Sequence, residues 1–172
     1  MTYLSIDMVT SESVRALLDY DADSGALRWR SSGEMAGCRR HDGYLVVGID
    51  GRLYLGHRLV WLWMTGCWPA GYIDHANRVK GDDRWQNLRE ATPTQNAANS
   101  GARSTSGSGI KGVSWCRATQ KWRATINIAG KQRSLGRHDS MADAAKAYST
   151  AARELHGSYA ANDLAPRERD QC

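Results

Sequence analysis

Asp74 and His75 are adjacent, Asn87-Leu88 begins twelve residues after His75, and Asn96 lies nine residues beyond Asn87. No other feature of the 172-residue chain narrows its fold and chemistry as far. A carboxylate beside an imidazole offers a hard oxygen ligand and a base that titrates near neutrality, and a second oxygen at Asn96 would complete a site for a divalent ion. The surrounding pattern supplies a frame. Tyr72-Ile73-Asp74-His75 reads as a short strand, residues 77–86 as a long polar hairpin and Asn87-Leu88-Arg89 as the returning strand. Thr92 fits a helix N-cap, Pro93 the first helical position and Gln95 the far side of a capping box, which puts Asn96 in the first turn. Taken singly these residues say little, because Asp-His pairs are common and turn asparagines usually serve their own backbone.

The strings Gly56-His57-Arg58-Leu59-Val60-Trp61, Ile73-Asp74-His75, Asp83-Arg84, Asn87-Leu88-Arg89-Glu90-Ala91-Thr92 and Gln95-Asn96 together resemble the HNH endonucleases, in particular their homing-type branch in phages and mobile introns. The resemblance covers roughly residues 43–99. It implies an α+β, ββα-metal (His-Me finger) module in which two strands and a helix hold one ion. Asp74 and Asn96 would be metal ligands, His75 the general base that takes a proton from the attacking water, and Asn87 a brace across the hairpin. The chemistry agrees: hydrolysis of a phosphodiester needs an in-line water, a base with a pKa near the operating pH and a cation on the phosphate. A neutral imidazole, with an ordinary pKa of about 6.5, suits the base. Oxygen-only ligands leave coordination positions to water and phosphate, which favours Mg2+ or Mn2+ as the cofactor.

Where the family usually carries Asp-Asn-Arg, this chain has Asp82-Asp83-Arg84, a departure expected to leave the site untouched. His57 and Arg84 are accessory candidates. Leu59, Val60 and Trp63 have helical spacing, so His57 would sit at a strand-to-helix junction, as a structural histidine rather than a phosphate contact.

Composition points to modules. Residues 99–109 are rich in Ser and Gly with no apolar periodicity and read as a linker. Four cysteines without a CxxC pair signal neither a zinc ribbon nor a disulfide framework. The absence of a long apolar run or a signal-peptide pattern predicts no membrane contact and a cytoplasmic protein in a bacterial or phage-infected cell. The net charge of +5 is unevenly spread: residues 111–137 hold seven Lys or Arg and no acid. Such a segment points to a phosphate backbone, hence double-stranded DNA as partner.

That basic segment reads as three short strands, at 112–117, 121–128 and 132–136. A helix follows, capped by Ser140, with Ala144, Ala147, Tyr148, Ala151 and Leu155 as its apolar stripe and Gly157 at its end. Lys111-Gly112-Val113-Ser114, Lys121-Trp122-Arg123-Ala124-Thr125-Ile126, Ser134-Leu135-Gly136, Ala144-Ala145-Lys146-Ala147-Tyr148 and Leu155-His156-Gly157 resemble the DNA-binding domain of the APETALA and ethylene-response-factor type. The resemblance implies a three-stranded antiparallel sheet packed on one helix, its open face in the major groove, with Lys111, Ser114, Arg117, Arg123, Thr125, Asn127 and Arg133 toward DNA. Asn127 and Thr125 would read base edges while the basic residues position the protein. Trp115 and Trp122 fit core or sugar packing better than base stacking.

Upstream, residues 11–20 read as a helix, 26–30 as a strand and 43–54 as a hairpin turned at Asp50-Gly51. Asp19, Asp21 and Asp23 ahead of Gly25 fail the calcium-loop pattern, since glycine falls seventh and Arg30 twelfth. The expected organisation is an N-terminal region at 1–42, the nuclease module at 43–99, a linker at 100–109, the DNA-binding domain at 110–163 and a tail at 164–172. The expected activity is metal-dependent hydrolysis of DNA phosphodiesters by a monomer, which would nick, or a homodimer, which would cut both strands. The alternative is a DNA-binding regulator whose HNH motif no longer cleaves.

Overall fold

The computed structural model describes residues 9–102, 105–128 and 130–161, so the expected tail at 164–172 lies outside the described residues. Thr10 opens the first helix, α1 (Ser11–Leu17), through a capping box in which its Oγ1 accepts from the Ser13 N–H and Ser13 Oγ accepts from its own. The helix stops at Leu17 instead of running to Tyr20. Leu18–Tyr20 is strand β1, paired antiparallel with β2 (Leu27–Trp29). Helical spacing misleads here because the strand lets both Leu18 and Leu27 reach full burial. The turn between them is held by the Asp21 carboxylate, which accepts from Ser24 Oγ and the Asp23 N–H and is kept below its usual pKa by the Ser24 bond first of all.

Strands β3 (Cys38–Arg39), β4 (Leu45–Ile49) and β5 (Arg52–Leu55) form a sheet in that order. The β4–β5 turn falls at Asp50-Gly51, both with positive φ (50° and 74°), as a tight hairpin requires. Helix α2 (Gly56–Thr65) follows directly and buries Leu59, Val60 and Leu62. With Val14, Leu18, Leu27 and Val47 these form one apolar core. Burial of each such side chain contributes about 1.5–3 kcal/mol. Strands β6 (Tyr72–His75) and β7 (Leu88–Ala91) then pair from Tyr72↔Ala91 to His75↔Leu88, with a 3-10 turn at Trp85–Asn87 before the return.

The chain divides into two compact units at Thr92 and Pro93, upstream of the Ser/Gly-rich stretch. The second begins with α3 (Pro93–Asn99), so hairpin and helix follow one another in ββα order. Strands β8 (Val113–Cys116), β9 (Lys121–Ile128) and β10 (Lys131–His138) form an antiparallel sheet with β9 central, and α4 (Met141–His156) packs on β9 and β10. The Ser140 side chain caps α4 by accepting from the Asp143 N–H at 3.0 Å. Its buried stripe is Ala144, Ala145, Tyr148 and Ala152, rotated from the expected one, and Leu155 is 43% exposed. Ser108, in the expected linker, is buried and bonds to the carbonyls of Ile110 and Val113. The architecture is therefore α+β, with a two-stranded hairpin followed in sequence by a helix and a three-stranded sheet on a helix. Among the described residues no helix is long and apolar enough to cross a membrane.

Candidate active site and nucleic-acid interface

Strand alternation would send Asp74 and His75 to opposite faces of a two-stranded ribbon, yet both are buried, at 6% and 4% exposure. Each meets a different partner. Asp74 Oδ2 accepts from Arg89 Nε at 2.9 Å and forms an ion pair with the same guanidinium, the arginine standing opposite it in the register. His75 Nε2 lies 2.8 Å from Asp83 Oδ1, with Asp83 itself 3% exposed. Position 83 therefore belongs to the site, contrary to the expectation that its departure from the family string leaves the site untouched. For a neutral ring, a carboxylate acceptor at this distance selects the tautomer with the proton on Nε2.

Several groups fix Asp83. The Tyr20 hydroxyl donates to its carbonyl at 2.8 Å, with the phenol pushed well up by burial first and then by Asp83. Gly25 (φ +75°) brings its backbone so close that a Cβ there would stand 2.6 Å from the Arg84 nitrogen. Arg84 does not face a ligand alone: its Nε donates to Asp82 Oδ1 at 2.7 Å and its Nη2 to Oδ2, which holds Asp82 down to about 2. Asn87 spans the loop, accepting from the Asn77 N–H at 2.9 Å and donating to the Asp82 carbonyl at 2.7 Å.

His57, read from sequence as structural, is the second residue of α2 and 5% exposed. Its ring stands edge-on to His75, centroids 5.1 Å apart at 81°. Among the described residues its Nδ1 has no hydrogen-bond partner, although leaving such a group buried costs about 1–3 kcal/mol. Burial, then the neighbouring His75, pushes its pKa down to about 4, so the ring is neutral at pH 7. One donor atom each from His57, His75 and Asp83 lies within 4.8 Å of the others. Two imidazoles and a carboxylate so placed fit a divalent ion. Tyr44, which no sequence pattern singled out, covers both rings at 5.2 Å and 5.9 Å and stays a neutral phenol, its pKa raised first by burial and then by Asp42 and Asp74. Asn96 lies half-buried on α3, and Asn99, three residues further along the same helix, is buried.

In the second unit, Arg123, Thr125 and Asn127 share one face of β9, opposite the buried Ala124 and Ile126, and Ser114 pairs with Arg123 on that same face. Ser114, Arg123, Thr125, Asn127 and Gln132 line a groove of 790 Å³. Three expected DNA contacts are placed differently. Lys111 Nζ donates to the carbonyls of Ala97, Ala98 and Ser100 at 2.6–2.9 Å, satisfying the C-terminal end of α3. Arg117 sits in the β8–β9 turn. Arg133 pairs with Ile126 and so shares the helix-side face. A bulge at Leu135-Gly136, where Gly136 takes φ +107°, then resets the alternation and brings Arg137 opposite Arg123. Only a sequence reading that placed this bulge would have found Arg137.

A ββα module with a buried His/His/Asp donor set is the equipment of a metal-dependent nuclease. The family model described as HNH endonuclease matches residues 54–98, which include every first-unit residue just described except Tyr20, Gly25, Asp42 and Tyr44, and the chain belongs to the HNH endonuclease family. It is 38% identical over 105 residues to Protein 3.8 of Escherichia phage T7, a span covering 60% of this chain and 86% of that relative. A solved structure of the HNH homing endonuclease I-HmuI, on DNA binding and cleavage, aligns at 24% identity and a TM-score of 0.39. The alignment covers 48% of this chain and half of that one.

Proposed function

We propose that this chain hydrolyses DNA phosphodiester bonds with His75 as general base. The observation that carries the reading is the 2.8 Å contact from His75 Nε2 to Asp83 Oδ1, one residue along from Asp74. It orients the imidazole and stabilises the imidazolium that forms when the ring takes a proton from water. His75 is buried, but among Asp83, His57 and Tyr44 rather than hydrocarbon. Asp74 and Asn96 would hold the ion, Mg2+ or Mn2+. When bound, the ion stabilises charge on the phosphoryl and leaving oxygens. Asn87 keeps the loop between the strands in shape so that Asp83 reaches His75.

The open face of the β8–β10 sheet, with Ser114, Arg123, Thr125, Asn127 and Arg137, supplies the DNA-binding surface, in the manner of the APETALA and ethylene-response-factor domain it resembles. Its tethering raises the local concentration of the nuclease at its site. The protein would act in the cytoplasm of a bacterial or phage-infected cell, nicking as a monomer or cutting both strands as a dimer.

The test is conversion of supercoiled plasmid to nicked circles. Wild type with Mg2+ is expected to nick, and wild type with chelator, or His75→Ala with Mg2+, to leave the plasmid intact. Nicking by His75→Ala at the wild-type rate would overturn the base assignment. DNA binding without any metal-dependent nicking would favour the non-catalytic regulator.

A further inference from the structure

Lys80 is exposed, and among the described residues its ammonium makes no hydrogen bond or ion pair; it rests 4.8 Å from the centre of the Tyr44 ring. Other cations of the first unit are engaged within the protein. Arg15, Arg39 and Arg58 donate to backbone carbonyls, and Arg30, Arg84 and Arg89 pair with carboxylates. A surface lysine lying on an aromatic ring is common. This one is distinguished by how its surroundings hold it. The Val79 N–H donates to Asn77 Oδ1 at 2.9 Å and the Asp82 N–H to the Val79 carbonyl at 2.9 Å, so Lys80 and Gly81 form the centre of a closed turn. The Lys80 stem packs on Gly43 (φ +94°), where an added Cβ would stand 3.6 Å from Lys80 Cβ. Arg39 ties the two segments together, its Nη2 donating to the Gly81 carbonyl at 3.0 Å and its Nη1 to the Gly43 carbonyl at 3.4 Å.

Tyr44 is also the ring that covers His75, at 5.9 Å between centres, so the ammonium can lie no further from that imidazole than these two distances laid end to end. Phosphates on one DNA strand recur about every 3.4 Å of helix axis, so a cation this close reaches the phosphate under attack or the one beside it. The phosphate under attack is met by the ion and the activated water. We propose that Lys80 holds the neighbouring phosphate of the cut strand and so sets the scissile bond in register with His75. The inference rests on the reading of the first unit as a nuclease with His75 as base. An ammonium is a compact point charge with three donors, which suits a phosphate oxygen. Its stem and head are already in place before DNA arrives, so less freedom is lost when the phosphate binds.

The experiment uses the full chain and a duplex carrying a cleavage site mapped with wild type and Mg2+, with binding measured in chelator so that nothing is cut. Lys80→Met keeps the stem and removes the charge. It is expected to bind about three- to tenfold more weakly and to lower the slope of log affinity against log salt by about 1, while Lys80→Arg keeps the wild-type slope. At saturating DNA with Mg2+, the single-turnover rate of Lys80→Met should stay within about twofold of wild type, because the lost contact is to a phosphate that does not react. A neutral methylphosphonate is then placed at each phosphate flanking the scissile bond in turn. At one of the two positions wild type should weaken by the same factor as Lys80→Met does on plain DNA, and Lys80→Met should lose nothing further, since that charge pair is already broken. The wild-type half of this scan needs no variant to fold, and no loss at either position would overturn the contact. An unchanged salt slope in Lys80→Met, or losses that add at both positions, would overturn it as well. Wild type that binds DNA and never nicks with Mg2+ would instead remove the nuclease reading, and the placement of Lys80 beside a scissile bond would fall with it.

Discussion

His75 Nε2 and Asp83 Oδ1 stand 2.8 Å apart with both side chains almost wholly buried, so the base and the carboxylate that orients it work as one unit. Asp83→Ala should therefore lower the single-turnover nicking rate by about 10- to 100-fold while the DNA concentration dependence stays near wild type. Asp83→Asn, which can still accept from Nε2–H but carries no charge, should fall between. An unchanged rate in Asp83→Ala would separate the contact from catalysis.

Arg89 and Asp74 form an ion pair at 2.8 Å whose carboxylate side chain is 7% exposed. Removing only the arginine strands a buried charge, so Arg89→Met should cost on the order of 3 kcal/mol in urea unfolding. Asp74→Asn in the same chain should restore part of that loss, because both partners are then neutral. Equal stability of the two single and double variants would contradict this.

The neutral His57 ring makes stability depend on pH. Its folded pKa of about 4 lies below the ordinary 6.5, so between those values the unfolded chain binds the proton first. The contribution is complete above pH 6.5 and is lost as pH falls toward 4, by up to about 3 kcal/mol. Urea midpoints of the metal-free chain at pH 7.5 and 4.5 test this, and His57→Gln should flatten the difference.

Much of this was legible beforehand, and the gaps have physical causes. Asp74, His75 and Asn87 lie on a short hairpin where sequence spacing and spatial spacing agree. Asp83, Tyr44 and His57 reach the same pocket from a loop and a helix start, where nothing local records the meeting. The Leu18 strand defeated helical periodicity because a single buried leucine satisfies either pattern. In the basic sheet the alternation held along β9, and the bulge at Leu135-Gly136 sets Arg137, not Arg133, in line with Arg123.

The same sheet separates two kinds of lysine and arginine. Lys111→Met should weaken the second unit, since three carbonyls at the end of α3 lose the ammonium that bridges them, yet leave the salt dependence of DNA binding unchanged. Arg123→Ala should lower the slope of log affinity against log salt by about 1 with little effect on stability. Identical slopes for both variants and wild type would contradict a DNA-facing Arg123.

The central claim is that His75 takes the proton from the attacking water, and chemical rescue tests it most directly. His75→Gly is expected to be inactive with Mg2+ and to regain nicking when imidazole is added, at a rate that follows the unprotonated fraction of imidazole. A His75→Gly chain that cuts at the wild-type rate without added imidazole would contradict the account.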